Sequence, residues 1–395
     1  MRQWRVGTIS TGLLLIAIGV ISIIAQGKGI SVAYQIIKWW PVIFIMLGIE
    51  ILAYTFLSKD EKPKMKFDGL SIFLIIVILL FSAGGFTVNS LLKGDLGNIN
   101  FFGLIGNSKY ETTIDKNYTF DKEGKNKLYV SNNMGEVQIE KSTTGKIEIE
   151  ATIKVRNNDE SYARTKADSF IEINQGATLK VTTVESNIGD RSKIQGISVD
   201  YLIRGPENLD VEVVNKFGLV NIDGIKGNTK IINSNGETDV SNVIGNVNVE
   251  NKFGKTEAKD VTGNLVIDSS NGEIVVKNIS GAAKATGKFG SINFENIGKA
   301  VTINNSNGEV VFHNDKIIND VVKIESKFGR IEVGVPEGQQ GKFSCNTRFG
   351  GINSDLRLSI SKDNNSSSVN DNIGNSNADF RIDNRNGDID IRVIN

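Results

Sequence analysis

The sequence predicts an α-helical membrane region followed by an all-β region that is built as a parallel β-solenoid. Three observations in the 395 residues predict this: three long apolar segments lie within residues 1–92, glycines further on recur at a constant interval, and apolar and polar residues alternate between those glycines. An antiparallel β meander or sandwich is the alternative for the second region, because its strands would alternate in the same way.

The three apolar segments are each about long enough to cross a hydrocarbon core of roughly 30 Å as a helix. Residues 9–25 carry no charge, residues 39–57 begin with two tryptophans, and residues 70–88 follow Asp68, a residue type that favours helix starts. Tryptophan is enriched at membrane interfaces. The sequence therefore predicts three membrane-spanning helices.

Basic residues predict the orientation of these helices. Arg2 and Arg5 precede the first, and the loop between the second and third carries lysines from Lys59 to Lys66. Because basic loops stay in the cytoplasm, the N-terminus is predicted to be cytoplasmic and the chain after the third helix extracytoplasmic. The protein would then be a multi-pass protein of the cell membrane. A cleaved signal peptide is the competing interpretation of the first segment, since a basic stretch precedes it.

Glu50 lies within the second predicted helix. An ionisable residue at membrane depth is costly and marks a functional contact. The three apolar segments contain no Lys, Arg, His or Asp that could form a relay with it. We interpret Glu50 as an intramembrane contact with a neighbouring helix rather than as part of a transport path.

The glycine repeat defines a nine-residue unit. Glycines from Gly218 to Gly308 recur at a constant interval of two such units, and a second series falls halfway between them. Counting glycine as position one, positions three and five are mostly apolar, as at Val220 and Ile222, and their neighbours are mostly polar. This alternation predicts a short strand with one buried face. Position seven is usually Asn, Asp or Ser, which are residues typical of turns.

The turns that end at the first glycine series alternate between NKFG-like and NSNG-like sequences. Like turns of a solenoid stack at the spacing of adjacent strands, roughly 4.8 Å. One residue of each turn is therefore predicted to join a ladder along one edge. The six candidate ladder residues are Phe217, Asn235, Phe253, Asn271, Phe289 and Asn307. SKFG, TRFG and NRNG, which end at Gly329, Gly350 and Gly387, repeat the theme at irregular spacing.

These patterns predict five regions. They are a membrane region (1–92), a linker (93–126), a capping β region (127–210), the regular repeats (211–335), and an irregular β region (336–395) with an Asn/Ser-rich loop near 362–377.

Composition excludes several classes of function. The 45 basic residues balance the 45 acidic residues, and the repeats carry no basic stripe for phosphate, so nucleic acid is not expected as a partner. His313 is the single histidine and Cys345 the single cysteine. We interpret the first as exposed and the second as a small core residue, because neither has an evident catalytic partner. No enzymatic activity, cofactor or metal site is predicted.

Two stretches of sequence resemble known bacterial families. Residues 7–57, with the segment WWPVIFIMLGIEIL, resemble the membrane region shared by the LiaI and LiaF proteins of envelope-stress systems. Residues 127–335 are similar to the adhesin-type β-repeat domains known as DUF4097, whose strand, proline and recurrent turn pattern is seen in residues 201–222. The resemblances imply a membrane-bound accessory protein or sensor of envelope stress.

The leading hypothesis is thus a noncatalytic, membrane-anchored envelope protein whose outer solenoid binds a partner and acts as a sensor or regulator of envelope stress. Its expected partners are membrane lipid, a sensor kinase or another membrane protein, and a cell-wall polymer or glycan. The alternative is a surface adhesin or structural protein that binds glycans or other cells. A polysaccharide lyase or hydrolase is a third, enzymatic hypothesis, which predicts a groove with clustered carboxylates.

Overall fold

The computed structural model describes residues 110–394. The predicted membrane helices at 9–25, 39–57 and 70–88, together with Glu50, lie outside the described residues. Between residues 110 and 394, no helix combines the length and the hydrophobicity that a membrane crossing requires.

The described residues form two β-sheets of 13 and 14 strands, here called sheet 1 and sheet 2. In spatial order, sheet 1 consists of β1 (Tyr110–Phe120), β4 (Ile147–Asn157), β7 (Ile194–Gly205), β3 (Val137–Lys141), β9 (Val220–Asp223), β11 (Thr238–Val243), β13 (Thr256–Val261), β15 (Ile274–Ile279), β17 (Ile292–Ile297), β19 (Val310–His313), β21 (Ile331–Pro336), β27 (Ile389–Ile394) and β23 (Ile352–Ser354). Sheet 2 consists of β24 (Ile360–Asp363), β25 (Ser366–Ile373), β22 (Gly341–Phe349), β26 (Asp379–Asn386), β20 (Val321–Phe328), β18 (Val301–Asn307), β16 (Ala283–Phe289), β14 (Leu265–Asn271), β12 (Val247–Phe253), β10 (Thr229–Asn235), β8 (Asp210–Phe217), β2 (Lys127–Met134), β6 (Thr178–Thr183) and β5 (Ile171–Asn174).

Each pair of consecutive nine-residue units forms one coil, with one strand in each sheet. The register follows the sequence period, because Val247 lies opposite Thr229 on one side and Leu265 on the other. All strand pairs between β8 and β20 in sheet 2, and between β9 and β21 in sheet 1, are parallel. The predicted parallel β-solenoid is confirmed for the repeats, and the antiparallel alternative is wrong there.

The core lies between the two sheets and is built from positions three and five of the repeat. Their side chains point inward because alternate residues of a strand face opposite sides of the sheet. The predicted inward residues are all buried: Val220, Ile222, Val247, Val249, Leu265, Ile267, Ile274, Val276, Ile292, Phe294, Val301 and Ile303.

The two corners of each coil use different backbone conformations. At one corner, Gly254 has a φ of +125°, and a Cβ there would lie 2.2 Å from the carbonyl oxygen of Gly236 in the preceding coil. At the other corner, position seven adopts the left-handed conformation, as at Asn278 with a φ of 56°. Asn and Asp tolerate that conformation better than other residues with a Cβ. The repeated Gly and Asn therefore mark two stacked rows of tight turns.

The N-terminal end of the solenoid is covered by irregular structure. Strands β4, β7 and β1 extend sheet 1 in antiparallel pairs, and helix α1 (Glu160–Lys166) and the 3-10 helix Ala167–Phe170 bury Ala163 and Phe170. A second 3-10 helix spans Glu185–Ile188. Residues 110–120 were predicted to belong to a linker, but they form strand β1. Their hydrogen-bonded pairing with β4 along the whole strand stabilises it although the sequence is polar. Strands β2 and β3 form a complete coil inside the region predicted as a cap.

The C-terminal end has a strand order that differs from the chain order. Strand β26 lies between β20 and β22 in sheet 2, and β27 lies between β21 and β23 in sheet 1. The last coil of the chain is thus inserted between two earlier coils, that of β20 and β21 and that of β22 and β23. Strands β24 and β25 pair in an antiparallel hairpin, so Ser366–Ile373 is a strand where the sequence predicted an Asn/Ser-rich loop.

Candidate binding edge

The six candidate ladder residues occupy consecutive positions along one edge of the solenoid. Phe217 lies opposite Asn235, which lies opposite Phe253 on its other side. The same register continues through Asn271, Phe289 and Asn307. Their spacing equals that of adjacent strands, roughly 4.8 Å, so successive phenylalanines are about 9.6 Å apart.

The row continues beyond the six predicted residues at both ends. Met134 lies opposite Phe217 at the first coil. At the other end, Asn307 is followed by Phe328, then Asn386, then Phe349. The motifs SKFG, NRNG and TRFG signal these last three positions in the sequence, but their chain order hides the spatial order. We call the ten residues from Met134 to Phe349 the Phe/Asn row.

The phenylalanines of the Phe/Asn row point into solvent. Phe217, Phe253, Phe289, Phe328 and Phe349 are each between 44% and 56% exposed. They follow the last inward residue of each strand in sheet 2, so they lie outside the core. Five exposed phenylalanines, with an asparagine between each pair, concentrate apolar surface along one edge, a feature typical of interaction sites.

A second row of polar side chains, buried beneath the Phe/Asn row, holds this edge in place. The Nδ2 group of Asn233 donates to the carbonyl oxygens of Gly218 and Glu237, both at 3.1 Å, and to Oγ1 of Thr238 at 3.2 Å. Asn251 makes equivalent bonds one coil further on, to Gly236 and Thr256. These bonds add a side-chain donor to carbonyls of the turn: Glu237 also accepts from the backbone N–H of Val220 at 3.0 Å, and Gly218 also accepts from Nδ2 of Asn215 at 3.2 Å. The edge is therefore a rigid platform.

A basic residue precedes each phenylalanine of the row. The residues are Lys216, Lys252, Lys288, Lys327 and Arg348, and all are exposed. The guanidinium of Arg348 lies 5.5 Å from the ring centroid of Phe349, within the range of a cation–π contact. The edge can therefore contact a partner through both apolar and charged groups.

The single histidine, His313, lies in β19 of sheet 1, and the single cysteine, Cys345, lies in β22 of sheet 2. Nε2 of His313 lies 3.0 Å from Oε1 of Glu332, on the outer face of sheet 1. Cys345 is fully buried, and burial raises the pKa of its thiol to about 12, so that the reactive thiolate does not form near neutral pH. Within residues 110–394, no three His, Cys, Asp or Glu side chains lie close enough together to hold a metal ion.

Solved structures of similar proteins cover most of the chain at low identity. A putative cell adhesion protein from Clostridium sporogenes is 12% identical, with 72% of this chain and 100% of that chain covered and a TM-score of 0.20. A putative lipid binding protein from Parabacteroides distasonis is 14% identical, with 72% of this chain and 98% of that chain covered and a TM-score of 0.38. A putative adhesin from the same organism is 13% identical, with 71% of this chain and 97% of that chain covered and a TM-score of 0.33. TM-scores this low carry no inference about function.

The family comparison covers more than half of the chain. No match was found among curated proteins. The model of the family described as Toastrack DUF4097 matches residues 125–392, a range that includes all the repeats and the whole Phe/Asn row. The chain therefore belongs to the Toastrack DUF4097 family.

Proposed function

We propose that this protein is a noncatalytic, membrane-anchored protein of the bacterial cell envelope, and that its β-solenoid binds a partner through the Phe/Asn row. The observation that carries the proposal is the row itself: five exposed phenylalanines on a rigid edge, each preceded by a basic residue. Such a surface supports binding and offers no group for bond cleavage. The apolar segments at 9–25, 39–57 and 70–88 provide the anchor in this proposal.

Binding at the solenoid would be passed to the membrane region, where Glu50 is the proposed contact with a neighbouring membrane protein such as a sensor kinase. The resemblance of residues 7–57 to LiaI and LiaF supports a role in sensing or regulating envelope stress. The proposed orientation puts the solenoid outside the cell, where it meets wall polymers and wall-active antibiotics.

The test uses the full chain in living cells. Changing the five phenylalanines of the row to serine is expected to alter the response to wall-active antibiotics as strongly as deleting residues 107–395. The matched control changes the exposed apolar residues Ile244, Ile317 and Ile360, which lie outside the row, to serine. An unchanged antibiotic response in both the phenylalanine variant and the deletion would contradict the proposal. Loss of adhesion without any change in that response would select the adhesin alternative.

A labelling experiment tests the orientation. Ser280 is exposed at the corner away from the row, and a Ser280→Cys variant adds one accessible thiol, while the native Cys345 is buried and unreactive. A membrane-impermeant maleimide is expected to label this variant in intact cells. Labelling only after the cells are lysed would place the solenoid in the cytoplasm and overturn the orientation.

A further inference from the structure

We propose that the partner of the Phe/Asn row is the same row of a second copy of this chain, with the two solenoids side by side and parallel. This inference rests on the proposed function in that it uses the same edge. It adds the identity of the occupant, which follows from the charges on either side of the row.

The side of the row next to sheet 2 carries only basic charge. We call its six basic residues the basic flank; they are Lys216, Lys252, Lys288, Lys327, Arg385 and Arg348. Among the described residues, none of the six has a carboxylate within 4.0 Å. Elsewhere on the solenoid, basic side chains do pair, as Lys277 does with Glu295 at 2.9 Å. The basic flank therefore presents uncompensated charge. The expectation that the repeats carry no basic stripe is wrong at this edge, because basic residues that are far apart in the sequence stack in neighbouring coils.

The side next to sheet 1 carries acidic charge at every second coil. We call these residues the acidic flank; they are Glu136, Glu237, Glu273, Glu309 and Asp388. Within the described range, the one basic group within 4.0 Å of any of them is the guanidinium of Arg330, whose Nη1 lies 4.0 Å from Glu309. Lys255 and Arg330 occupy intervening positions and already pair with Glu257 and Asp390. The acidic flank is thus also largely uncompensated.

A two-fold axis along the row makes these flanks complementary. Rotation about that axis turns the basic flank of one copy toward the acidic flank of the other, on both sides of the interface. The five basic residues that precede a phenylalanine then face acids of the partner one strand spacing away, roughly 4.8 Å along the row. Arg385, which precedes Asn386, lies level with Asp388 of the partner. An axis across the row would instead oppose like charges. Complementary charges of this kind fix the register and orientation of an interface.

The parallel arrangement also suits the ends of the chains. Both solenoids then have their N-terminal ends on the same side, as two chains anchored in one membrane would need. An anionic lipid surface fits the edge less well, because the acidic flank would face it.

The strip is long enough for a stable interface. Ten strands from Met134 to Phe349 give nine spacings, or about 43 Å. The corner between the two sheets is roughly 10 Å wide, the spacing of stacked sheets, so the row itself covers about 430 Å². Each partner in a standard protein interface buries about 800 Å², and the two charged flanks would supply the remainder. Five phenylalanines at the centre and charges at the rim reproduce the usual anatomy of such an interface.

Disulfide crosslinking in membranes tests the geometry on the full chain. Residues of the row face their own counterparts across the axis, so Asn235→Cys and Asn386→Cys, near opposite ends, are each expected to give a disulfide-linked dimer. Ser280→Cys, in an exposed position at the other corner, is the control that should stay monomeric. An antiparallel dimer would leave both end variants uncrosslinked, which would overturn the proposal.

Charge reversal tests whether the partner at the row is a second copy of this chain. Changing Lys252, Lys288 and Lys327 to glutamate makes the middle of both flanks acidic, and changing Glu237, Glu273 and Glu309 to lysine makes the middle of both flanks basic. On an Asn235→Cys background, each variant alone is expected to crosslink about tenfold less, and mixing the two is expected to restore the dimer. Thermal melting of both variants checks that they fold.

Restoration on mixing requires a second copy as the partner, because a glycan or lipid ligand could not distinguish the mixture from its components. If the mixture stays monomeric although both variants are folded, the dimer is excluded. The antibiotic response of the phenylalanine variant is then read separately. If that response is still altered, the proposed function stands with another occupant at the row.

Discussion

Phe343 and Phe380 stack face to face with their ring centroids 4.5 Å apart and their planes within 1°. Phe343 belongs to β22 and Phe380 to the later strand β26, which lies between β22 and β20. Both rings are fully buried. The stack therefore joins the inserted last coil to the coil that it displaces from its chain-order position.

We expect Phe380→Ala to loosen this end of the solenoid. Removing a buried phenylalanine costs about 3–5 kcal/mol, from lost burial and from the cavity that remains. Cys345 reports the loosening, because its partner in the parallel pairing is Ile382, two residues beyond Phe380 on the inserted strand. Modification of Cys345 by a disulfide reagent should be much faster in the variant.

Phe349→Ala is the matched control for this substitution. Phe349 lies in the same strand as Phe343, but half of its side chain is exposed, so little stability should be lost. Equal Cys345 reactivity in the Phe380 variant and the native protein would mean that the inserted coil does not protect this thiol.

The close approach of neighbouring coils at the glycine corner predicts that a glycine-to-alanine change destabilises the fold much more at Gly254 than at Gly351. In Gly254→Ala the new Cβ would lie 2.2 Å from the carbonyl oxygen of Gly236, and the φ of +125° is unfavourable for alanine. Backbone strain alone costs roughly 1–3 kcal/mol, and separation of the coils adds to it. Gly351→Ala, where the nearest atom is 3.6 Å away, should change the urea midpoint little. Similar midpoints for the two variants would contradict a steric role for the glycine row.

The hydrogen bonds of the buried polar row predict that the stability of the fold depends on the side-chain amide of Asn233. Asn233→Ala removes this donor from the carbonyl oxygens of Gly218 and Glu237, although Asn215 and the backbone N–H of Val220 still donate to them. Each lost hydrogen bond costs about 0.5–1.5 kcal/mol. Asn235, two residues later, is the control, because its amide makes one long bond of 3.4 Å to the carbonyl of Lys216. Asn235→Ala should shift the thermal midpoint far less than Asn233→Ala does.

The regular part of the fold could be predicted because each coil repeats the same local chemistry. Gly254 needs a positive φ, Asn278 tolerates the left-handed turn, and Val247 and Val249 point inward for the same reason in every coil. A constant repeat length then defines the register without any knowledge of long-range contacts.

The two ends could not be predicted in the same way, because their order depends on contacts between distant segments. Nothing in the spacing of Phe328, Phe349 and Asn386 indicates that Asn386 lies between the two phenylalanines. Their motifs were visible, but the insertion of β26 depends on packing such as the Phe343–Phe380 stack. Only with that insertion do Phe and Asn alternate up to the end of the row.

A pair of like charges on the outer face of sheet 1 predicts a pH-dependent gain in stability. Asp239 lies opposite Glu257 on the neighbouring strand. Burial, followed by repulsion from Glu257 and Glu237, raises the pKa of Asp239 above its ordinary value of 3.8. A raised carboxyl pKa means that the folded state binds this proton more tightly than the unfolded state does. Ionised Asp239 therefore destabilises the fold at neutral pH, and the destabilisation fades as the pH falls through the raised pKa toward 3.8.

Asp239→Asn removes this penalty and is expected to raise the free energy of unfolding at pH 7 by a few tenths to about 1 kcal/mol, the range for cross-strand pairs. The difference should shrink as the pH falls toward 3.5, because protonation of the native carboxyl removes the charge that causes the penalty. Urea unfolding at the two pH values measures it. Glu295→Gln on the same face is the control, because Glu295 pairs with Lys277 at 2.9 Å and its removal should not stabilise the fold. A gain for Asp239→Asn that persists undiminished at pH 3.5 would rule out the ionised carboxylate, through its burial and its repulsion by Glu257 and Glu237, as the cause.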